Sequence, residues 1–424
     1  MLAPVMPSDR GNGLAMRAGF FLDAYCRQFD VDLAVIPVAG PSRINDFTRS
    51  RAGRIEMFAA DRPDSHYSLV TALADPVARL EAFRRYGRPT LAAFVAPLKD
   101  RVWDCFGDKQ YRAIHIFRLY LADAASAWLA KPRDDMRTVL DCDEDDARTF
   151  RRIAALQRQE RRGAEADWLD AEADAFQRLA REYLPKADIV VAASQHEARA
   201  LAVPSRDMHV IPNVAPELNA RSVRRGGVLS TILFVGTLGY APNAQGLIWF
   251  VSRVWPQLQR RLGNRTRLVV VGAQPPAAVR RLAARRGIDM VGAVPAVAPY
   301  YRRADLAIVP LHAGGGTRIK LLEAAGYGVP VVATKLGAEG TAFQSGRDML
   351  LANGPGNFRE ACFLLARSRS LRSRLGTQAR ITAKRNYSPA YWRDRVIALI
   401  ASQSGIADRS EVERDTDGNA GGKS

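Results

Sequence analysis

Residues 312–334 read HAGGGTRIKLLEAAGYGVPVVAT. They follow the apolar run LAIVPL (306–311) and end in a second one, GVPVVAT, and such continuous runs are typical of strands buried on both faces. Between the runs, Gly314–Gly316 form a loop, and Thr317 is a suitable N-cap for a helix that extends to Tyr327. The segment therefore predicts a strand, a glycine loop and a helix that belong to a parallel α/β sheet.

The start of this helix is also a predicted phosphate site, because a helix N-terminus presents free amides and a positive dipole to an anion. Arg318 and Lys320 lie in the first turn, against the dipole preference, which makes sense if an anion binds between them. Glu323, one turn further on, can accept hydrogen bonds from two ribose hydroxyls. The pattern predicts a nucleoside diphosphate site, and the alternative is a solvent-exposed helix with a weak Lys320–Glu323 ion pair.

Apolar runs of the same kind recur along the 424 residues, which are too many for one ordinary core. They predict two tandem doubly wound α/β domains, residues 1–215 and 216–387, followed by a helix at 388–403 and a disordered polar tail at 404–424. A soft segment at 212–227 is the predicted linker, and one long helix is expected over 146–184. The predicted strands are 31–39, the start of 113–122, 138–143, the start of 188–201, 208–213, 231–238, 267–273, 288–294, 306–311 and 328–334.

The chain carries a formal net charge of +18, mostly from arginine, which indicates either an anionic partner or simply an arginine-rich surface. Its four cysteines form no CxxC pair, which favours a reducing compartment and no structural metal. The N-terminal segment does not have the pattern of a signal peptide, and no apolar stretch is long enough for a membrane span. Walker A, complete G-x-G-x-x-G and G-x-S-x-G motifs are absent from the sequence.

Segment 312–334 and the following KLGAEG together resemble the donor-binding segment of GT-B glycosyltransferases, specifically glycosyltransferase family 4. Other stretches resemble further parts of that family in the same order. They are RGNGLAMR (10–17), VLDCDEDD (139–146), ADIVVAASQHEARAL (187–201), VIPNV (210–214) and FVGTLGYAPNAQGLIWF (234–250).

The resemblance implies two Rossmann-like domains with a cleft between them, the donor on the second and the acceptor on the first. It implies transfer of a sugar from a nucleotide donor to an acceptor hydroxyl, with retention and without a metal or other cofactor. Glu323 matches the second glutamate of the family's E-x7-E motif, whose first glutamate falls at Gly315. Lys320 matches a lysine of a branch linked to exopolysaccharide loci.

The Arg and Lys that the family has after the first strand of its second domain fall near Thr237 and Asn243, and neither is basic. We infer that Arg318 and Lys320 supply the missing positive charge. The expected donor-binding residues are Gly236, Thr237, Tyr240, Asn243, Gly314, Gly315, Gly316, Thr317 and Glu323.

The expected acceptor-side residues are Gly11, Asn12, Gly13 and Asp141, and the expected catalytic residues are Arg318, Lys320, His115 and Arg118. Several of these have simpler explanations. Gly11 and Gly13 would also suit a tight turn, and His115 a packed strand residue. Asp141 and Asp143 form a D-x-D pattern that could bind a metal. Otherwise Asp141 would line the cleft, and Asp143 to Asp146 would form a solvated acidic turn before a helix.

We therefore expect a cytoplasmic hexosyltransferase that uses a nucleotide sugar, in exopolysaccharide or other cell-surface glycan synthesis. A lipid-linked glycan acceptor would bring it to the inner face of the membrane, where its basic surface would meet anionic lipid. One alternative is a nucleotide-sugar epimerase on the same fold. The other is a basic nucleic-acid-binding protein, which the lack of any recognisable docking motif disfavours.

Overall fold

The computed structural model describes residues 1–38, 43–58, 73, 75–130, 136–201, 207–215, 231–316 and 318–401. Its strands are β1 Leu2–Ala3, β2 Leu33–Val35, β3 Ile55–Met57, β4 Ala113–Phe117, β5 Arg137–Asp143, β6 Ile189–Ala192, β7 Met208–Val210, β8 Thr231–Val235, β9 Arg267–Val271, β10 Ile288–Gly292, β11 Leu306–Val309, β12 Val331–Ala333 and β13 Leu350–Leu351.

The α-helices of the described residues are α1 Gly13–Tyr25, α2 Asp46–Arg49, α3 Pro76–Tyr86, α4 Thr90–Val95, α5 Lys99–Phe106, α6 Ser126–Leu129, α7 Asp146–Gln159, α8 Gly163–Tyr183, α9 Gln195–Leu201, α10 Ala241–Trp249, α11 Trp255–Leu262, α12 Ala277–Arg280, α13 Ala298–Arg303, α14 Ile319–Gly326, α15 Pro355–Arg367, α16 Arg369–Asn386 and α17 Pro389–Ala401. A π-helical turn, Phe250–Val254, joins α10 to α11.

The strands form two parallel sheets, as the apolar runs predicted. The first has the order β3-β2-β1-β4-β5-β6-β7 and the second β10-β9-β8-β11-β12-β13. In each sheet the strand order reverses once, between β1 and β4 and between β8 and β11. Open α/β sheets bind ligands at the carboxyl ends of the strands beside such a switch point. The predicted class, two doubly wound α/β units, is confirmed.

The buried cores lie on both faces of each sheet. Val139, Ile189 and Val191 of the first sheet pack against α1, while Leu140 and Val190 on its other face pack against α8. The last helix, α17, returns to the first sheet, where Val396 and Ile400 join the cluster beside α1. The C-terminal part of the chain therefore passes from the second sheet, where α16 packs against α14, back to the first.

Two local expectations need correction. The long helix expected over 146–184 is a hairpin of α7 and α8, broken where Arg161 adopts a φ of 62°. Helix α14 begins at Ile319 with Arg318 at the cap position and no side-chain cap, and Thr317, the expected N-cap, lies outside the described residues. Residues 216–227 of the expected linker and the tail at 404–424 also lie outside them.

Glu172 is a buried acid in the middle of α8. Its carboxyl accepts a hydrogen bond from the Thr90 amide at 3.0 Å and contacts the Thr90 hydroxyl, at the start of α4. Burial raises the pKa of Glu172 from 4.5 to about 8. The folded protein therefore keeps a proton on this group across a pH range in which the unfolded chain has lost it.

We predict that Glu172→Gln makes stability less dependent on pH. Since the folded pKa is raised, the wild type loses stability as pH rises from 4.5 to about 8, by at most about 1.4 kcal/mol per pH unit. The difference in free energy of unfolding, variant minus wild type, should thus increase between pH 5.5 and 8 in urea titrations. Glu160→Gln, at the exposed end of α7, should show no such trend; parallel curves for Glu172→Gln would contradict the prediction.

Candidate functional site

The carboxyl ends of the two sheets face each other across a cleft. The second sheet contributes the turn after β8 and the glycine loop after β11. The first contributes the ends of β4 and β5 and the loop before α1. The two sides touch: a side-chain carbon of Ile319 lies 3.1 Å from where a Cβ on Gly13 would be. Ligands bound at this edge would therefore contact both sheets.

Three of the predicted donor-binding residues, Gly236, Thr237 and Asn243, converge with the predicted catalytic Lys320 at the end of β8. The Lys320 ammonium donates to Asn243 Oδ1, and Asn243 Nδ2 donates to the Thr237 carbonyl at 2.9 Å. The same ammonium lies 3.0 Å from where a Cβ on Gly236 would be, so this position must stay open. An ammonium has three N–H groups, and the bond to Asn243 is the one it makes within the described residues. The remaining donors are available to an anion.

Burial makes the charge of Lys320 costly. Its pKa is lowered to about 7, mainly by burial and further by the nearby charge of Arg318. Among the described residues no ion pair joins Lys320 to Glu323, so the alternative of a simple surface pair is not what the structure contains. Lys320 is half-buried and its hydrogen-bond partner is neutral, which makes it a candidate for anion binding.

Arg318 supports the glycine loop from behind. Its guanidinium donates to the carbonyls of Gly315 at 2.5 Å, Gly314 at 3.1 Å and Leu336 at 3.3 Å. The side chain is buried, and burial lowers its pKa. Its positive charge thus lies directly against the loop, while a direct contact with a phosphate stays a prediction.

Glu323 lies on the inner side of α14. Its carboxyl accepts a hydrogen bond from the Tyr301 hydroxyl at 3.0 Å, and the Tyr301 ring stacks on Tyr327 with 5.4 Å between ring centroids. Burial raises the pKa of Glu323 to about 7. One carboxyl oxygen is therefore held in place, and the expected role of Glu323 in binding a ribose stays a prediction.

Side chains from both sheets lie close to the backbone of the glycine loop. Gly314 and Gly316 have φ values of 98° and 70°, which favour glycine. The Tyr240 hydroxyl lies 3.0 Å from where a Cβ on Gly314 would be. At Gly315, a Cβ would lie 2.5 Å from Glu144 Oε2 and would also collide with the Thr149 hydroxyl. The space beside Gly315, where the resemblance expects a glutamate, is therefore occupied by a carboxylate of the first sheet.

Arg118 follows β4 with a φ of 70°, a strained conformation for a residue with a side chain. Its guanidinium donates to Glu144 at 2.8 Å, contacts Asp146, and lies 3.5 Å from Asp143. These three carboxylates offset its charge, and Arg118 Nε has no hydrogen-bond partner within the described residues. The expected catalytic Arg118 is thus at the cleft edge but within an acidic cluster.

Two expectations are corrected, because His115 and Asp141 lie inside the first sheet rather than on the cleft. Asp141 is 0% exposed, and Arg17 binds it through Nε at 2.8 Å and Nη2 at 2.9 Å. His115 is 2% exposed, with Nδ1 2.9 Å from the Tyr25 hydroxyl and its ring against Phe117. Side chains so enclosed cannot contact a substrate in this conformation.

The expected acceptor loop is a turn that reaches the cleft. Gly11 has a φ of 106°, and Asn12 caps α1 by accepting from the Ala15 amide at 2.8 Å. Gly13 meets Ile319 of α14, as described above. The loop is therefore a tight turn, as the simpler explanation has it, and it also lies close to the second sheet.

Sequence patterns gave no signal for three residues that connect the sheets: Glu144, Thr149 and Arg152. Arg152 binds Glu339 through two hydrogen bonds of 2.6 and 2.9 Å and donates to the Gly314 carbonyl at 3.1 Å. Thr149 and Arg152 are three apart on α7 and so share a face. Their partners lie more than 160 residues away in the chain, which local patterns cannot reveal.

Within the described ranges, no group of three or more His, Cys, Asp or Glu side chains is arranged to hold a metal ion. In the same part of the chain, no helix combines the length and apolar character that a bilayer crossing needs.

Residues 230–367 match the family described as Glycosyl transferases group 1. Over 254 residues the chain is 30% identical to a D-inositol 3-phosphate glycosyltransferase of Geodermatophilus obscurus, a match that covers 54% of this chain and 54% of that relative. The chain therefore spans about half the length of this curated relative. The matched domain includes every donor-binding residue expected from the sequence.

Several solved glycosyltransferase structures are similar over nearly their whole length. Sucrose-phosphate synthase from Thermosynechococcus elongatus is 15% identical, with a TM-score of 0.62 and 94% of each chain covered. Anabaena HepE in complex with UDP and glucose is 14% identical, with a TM-score of 0.58, 95% of this chain and 98% of that one. At this identity the similarity shows the fold alone, which is GT-B. The match to group 1 glycosyltransferases covers residues 230–367, which include the second sheet as far as β13.

A third structure with this fold is the α,α-trehalose-phosphate synthase (UDP-forming) of Burkholderia xenovorans in complex with glucose-6-phosphate. It is 14% identical, with a TM-score of 0.59, and covers 95% of this chain and 99% of its own.

We predict that Arg17→Met destabilises the protein by about 3–5 kcal/mol, because it leaves the Asp141 carboxylate buried without its partner. Arg151→Met, which removes an exposed pair with Asp174, should change the free energy of unfolding by less than about 0.5 kcal/mol. Urea unfolding followed by circular dichroism measures both. Equal, small effects would mean that Asp141 does not depend on Arg17.

Proposed function

We propose that the protein is a glycosyltransferase that moves a sugar from a nucleoside-diphosphate sugar to an acceptor hydroxyl. The observation that carries this proposal is the cluster of Lys320, Asn243 and Gly236 beside the Gly314–Gly316 loop. It lies at the switch point of the second sheet, within the domain that matches group 1 glycosyltransferases.

In this proposal the diphosphate binds beside the glycine loop, with the Lys320 ammonium donating to it and Arg318 adding positive charge behind the loop. Negative charge develops on the diphosphate as the bond to the sugar breaks. Donors that are fixed before the reaction stabilise that charge without reorganising. Glu323 would accept from the ribose hydroxyls, and Tyr240 would lie against the nucleotide side of the loop.

Retention of configuration is supported only by the resemblance to family 4. In such a mechanism a donor phosphate oxygen accepts the acceptor's proton, so no side-chain base is required. The buried position of His115 is compatible with this, since it removes a candidate base from the cleft.

UDP is the first donor to test, because HepE was solved with UDP and glucose and the trehalose-phosphate synthase is described as UDP-forming. The net charge of +18 and the family 4 resemblance support a glycan or lipid-linked glycan acceptor at the cytoplasmic face of an anionic membrane, in cell-surface polysaccharide synthesis. We propose no bound metal or other cofactor for this reaction.

We predict that Lys320→Met weakens UDP binding by roughly tenfold to a hundredfold, the range expected for a lost hydrogen bond from a charged group. A thermal-shift screen of wild type against UDP, GDP, ADP and dTDP identifies the base, and calorimetry then gives the Kd. Lys384→Met, at an exposed position of α16, is the matched control and should bind as wild type does.

Absence of any shift in wild type at millimolar nucleotide would refute the proposed donor site. Interconversion of UDP-sugars without an acceptor would instead support the epimerase alternative.

We further predict that UDP binding becomes weaker above pH 7 and takes up close to one proton at pH 8. Lys320 has a pKa of about 7 in the free protein, and the diphosphate favours its charged form. Above pH 7 the Kd should therefore rise by up to about tenfold per pH unit. The terminal phosphate of UDP, like a phosphate monoester, is already ionised in this range, so its own titration does not cause the change. Calorimetry in two buffers of different ionisation enthalpy counts the protons. Lys320→Met should take up none; no uptake by wild type would contradict the assignment.

A further inference from the structure

We propose that Glu144, which follows β5 of the first sheet, accepts hydrogen bonds from hydroxyl groups of the sugar being transferred. The donor site would then be composite, with the nucleotide held by the second sheet and the sugar held across the cleft. This inference rests on the proposed function, because it takes the diphosphate to bind at the glycine loop.

Glu144 lies directly against the glycine loop of the second sheet. Its Oε2 lies 2.5 Å from where a Cβ on Gly315 would be and 3.3 Å from the equivalent point on Gly316. Of the acidic side chains near Arg118, Glu144 is the one that contacts the loop. Asp143 is instead bonded to Asn213 at 3.3 Å, and Asp146 lies under Arg118 with 8% of its side chain exposed. Glu144 therefore reaches the proposed diphosphate site from the opposite sheet.

A carboxylate at this place can contact only certain parts of a nucleotide sugar. A carboxylate and a diphosphate in direct contact would repel each other, so the group between them must be a hydrogen-bond donor without negative charge. The sugar, attached to the diphosphate, brings hydroxyl groups to this place. A carboxylate accepts from neighbouring hydroxyls readily, because each of its oxygens has two lone-pair sites.

Glu144 can still accept further hydrogen bonds. Oε1 accepts from Arg118 Nη1 at 2.8 Å, and Oε2 accepts from the Thr149 hydroxyl at 3.2 Å. Each oxygen thus has one hydrogen-bond partner among the residues that the structure describes, and one lone-pair site beyond it. The two contacts orient the carboxylate, and Arg118 offsets its charge next to an anionic ligand. The side chain is 15% exposed, so part of it is open to a ligand in the cleft.

The absence of a side chain at residue 315 leaves room for the Glu144 carboxylate. Any Cβ there would collide with both Glu144 and Thr149. Gly315 does not have a positive φ, so backbone strain does not require glycine at this position. Glycine is needed at residue 315 because it lets the Glu144 carboxylate reach the loop.

The test compares UDP with UDP-sugars on the same variants. Calorimetry gives the Kd of UDP and of UDP-glucose, UDP-galactose and UDP-N-acetylglucosamine for wild type, Glu144→Gln and Glu144→Ala. We expect both variants to bind UDP within about twofold of wild type, and to lose about tenfold or more in affinity for the preferred UDP-sugar. Glu160→Gln, on the exposed end of α7, is the control and should change neither Kd.

Gly315→Ala is the second variant, because it leaves Glu144 intact and displaces its carboxylate from the loop. It should reproduce the selective loss of UDP-sugar affinity. Melting temperatures of all variants check that the fold is kept, and Glu144→Gln preserves side-chain size if Glu144→Ala unfolds.

The outcomes separate this inference from the proposed function. If wild type binds none of UDP, GDP, ADP and dTDP, the proposed donor site fails; if it binds one of the other three, the sugars of that nucleotide replace the UDP-sugars in the test. If UDP binds but no UDP-sugar binds differently from UDP, or if Glu144→Gln changes both ligands equally, the proposed role of Glu144 is overturned.

Discussion

The absence of side chains at Gly314–Gly316 is the constraint on which the cleft depends. Because the loop presents only backbone, Glu144 and Thr149 of the first sheet can lie directly against it, and Arg152 can bind the Gly314 carbonyl. The bidentate pair between Arg152 and Glu339 then fixes the same two elements a short distance away. A larger residue at the loop would separate the sheets, and the groups that meet in the cleft would no longer share one site.

The two sides of the cleft carry opposite charge. On the second sheet, Arg318 is buried and Lys320 half-buried, and neither cation forms an ion pair among the described residues. On the first, Arg118 is surrounded by three carboxylates, so its positive charge is more than offset. An anion is therefore favoured against the second sheet and hydroxyl groups against the first. This division suits a donor whose diphosphate and sugar lie on opposite sides.

Sequence patterns predicted the parts of the molecule that depend on local residues. Buried parallel strands are continuous apolar runs, and the glycine loop, Lys320 and Asn243 lie next to strand ends that such runs reveal. The break at Arg161 went unpredicted, because no proline or glycine cluster marks it. His115 and Asp141 were misplaced since a strand residue alternates between faces, and only the three-dimensional partners Tyr25 and Arg17 show which face is closed. Glu144 was missed because the loop that it contacts, Gly315–Gly316, is far away in sequence.

The two cations at the start of α14 run against the helix dipole, and the structure gives a physical reason to keep them there. Burial lowers the pKa of both Arg318 and Lys320, which means that each charge costs free energy in the empty protein. Nearby carboxylates offset only part of this cost, Glu144 and Glu339 for Arg318 and Glu323 for Lys320, and the pKa of each cation stays lowered. The hydrogen bonds themselves go to loop carbonyls from Arg318 and to an amide from Lys320. An anion at the glycine loop would stabilise both charges together with the free amides of the helix. A local departure from the rules of helix stability is thus explained if the cations are held ready for a ligand that the chain itself does not supply.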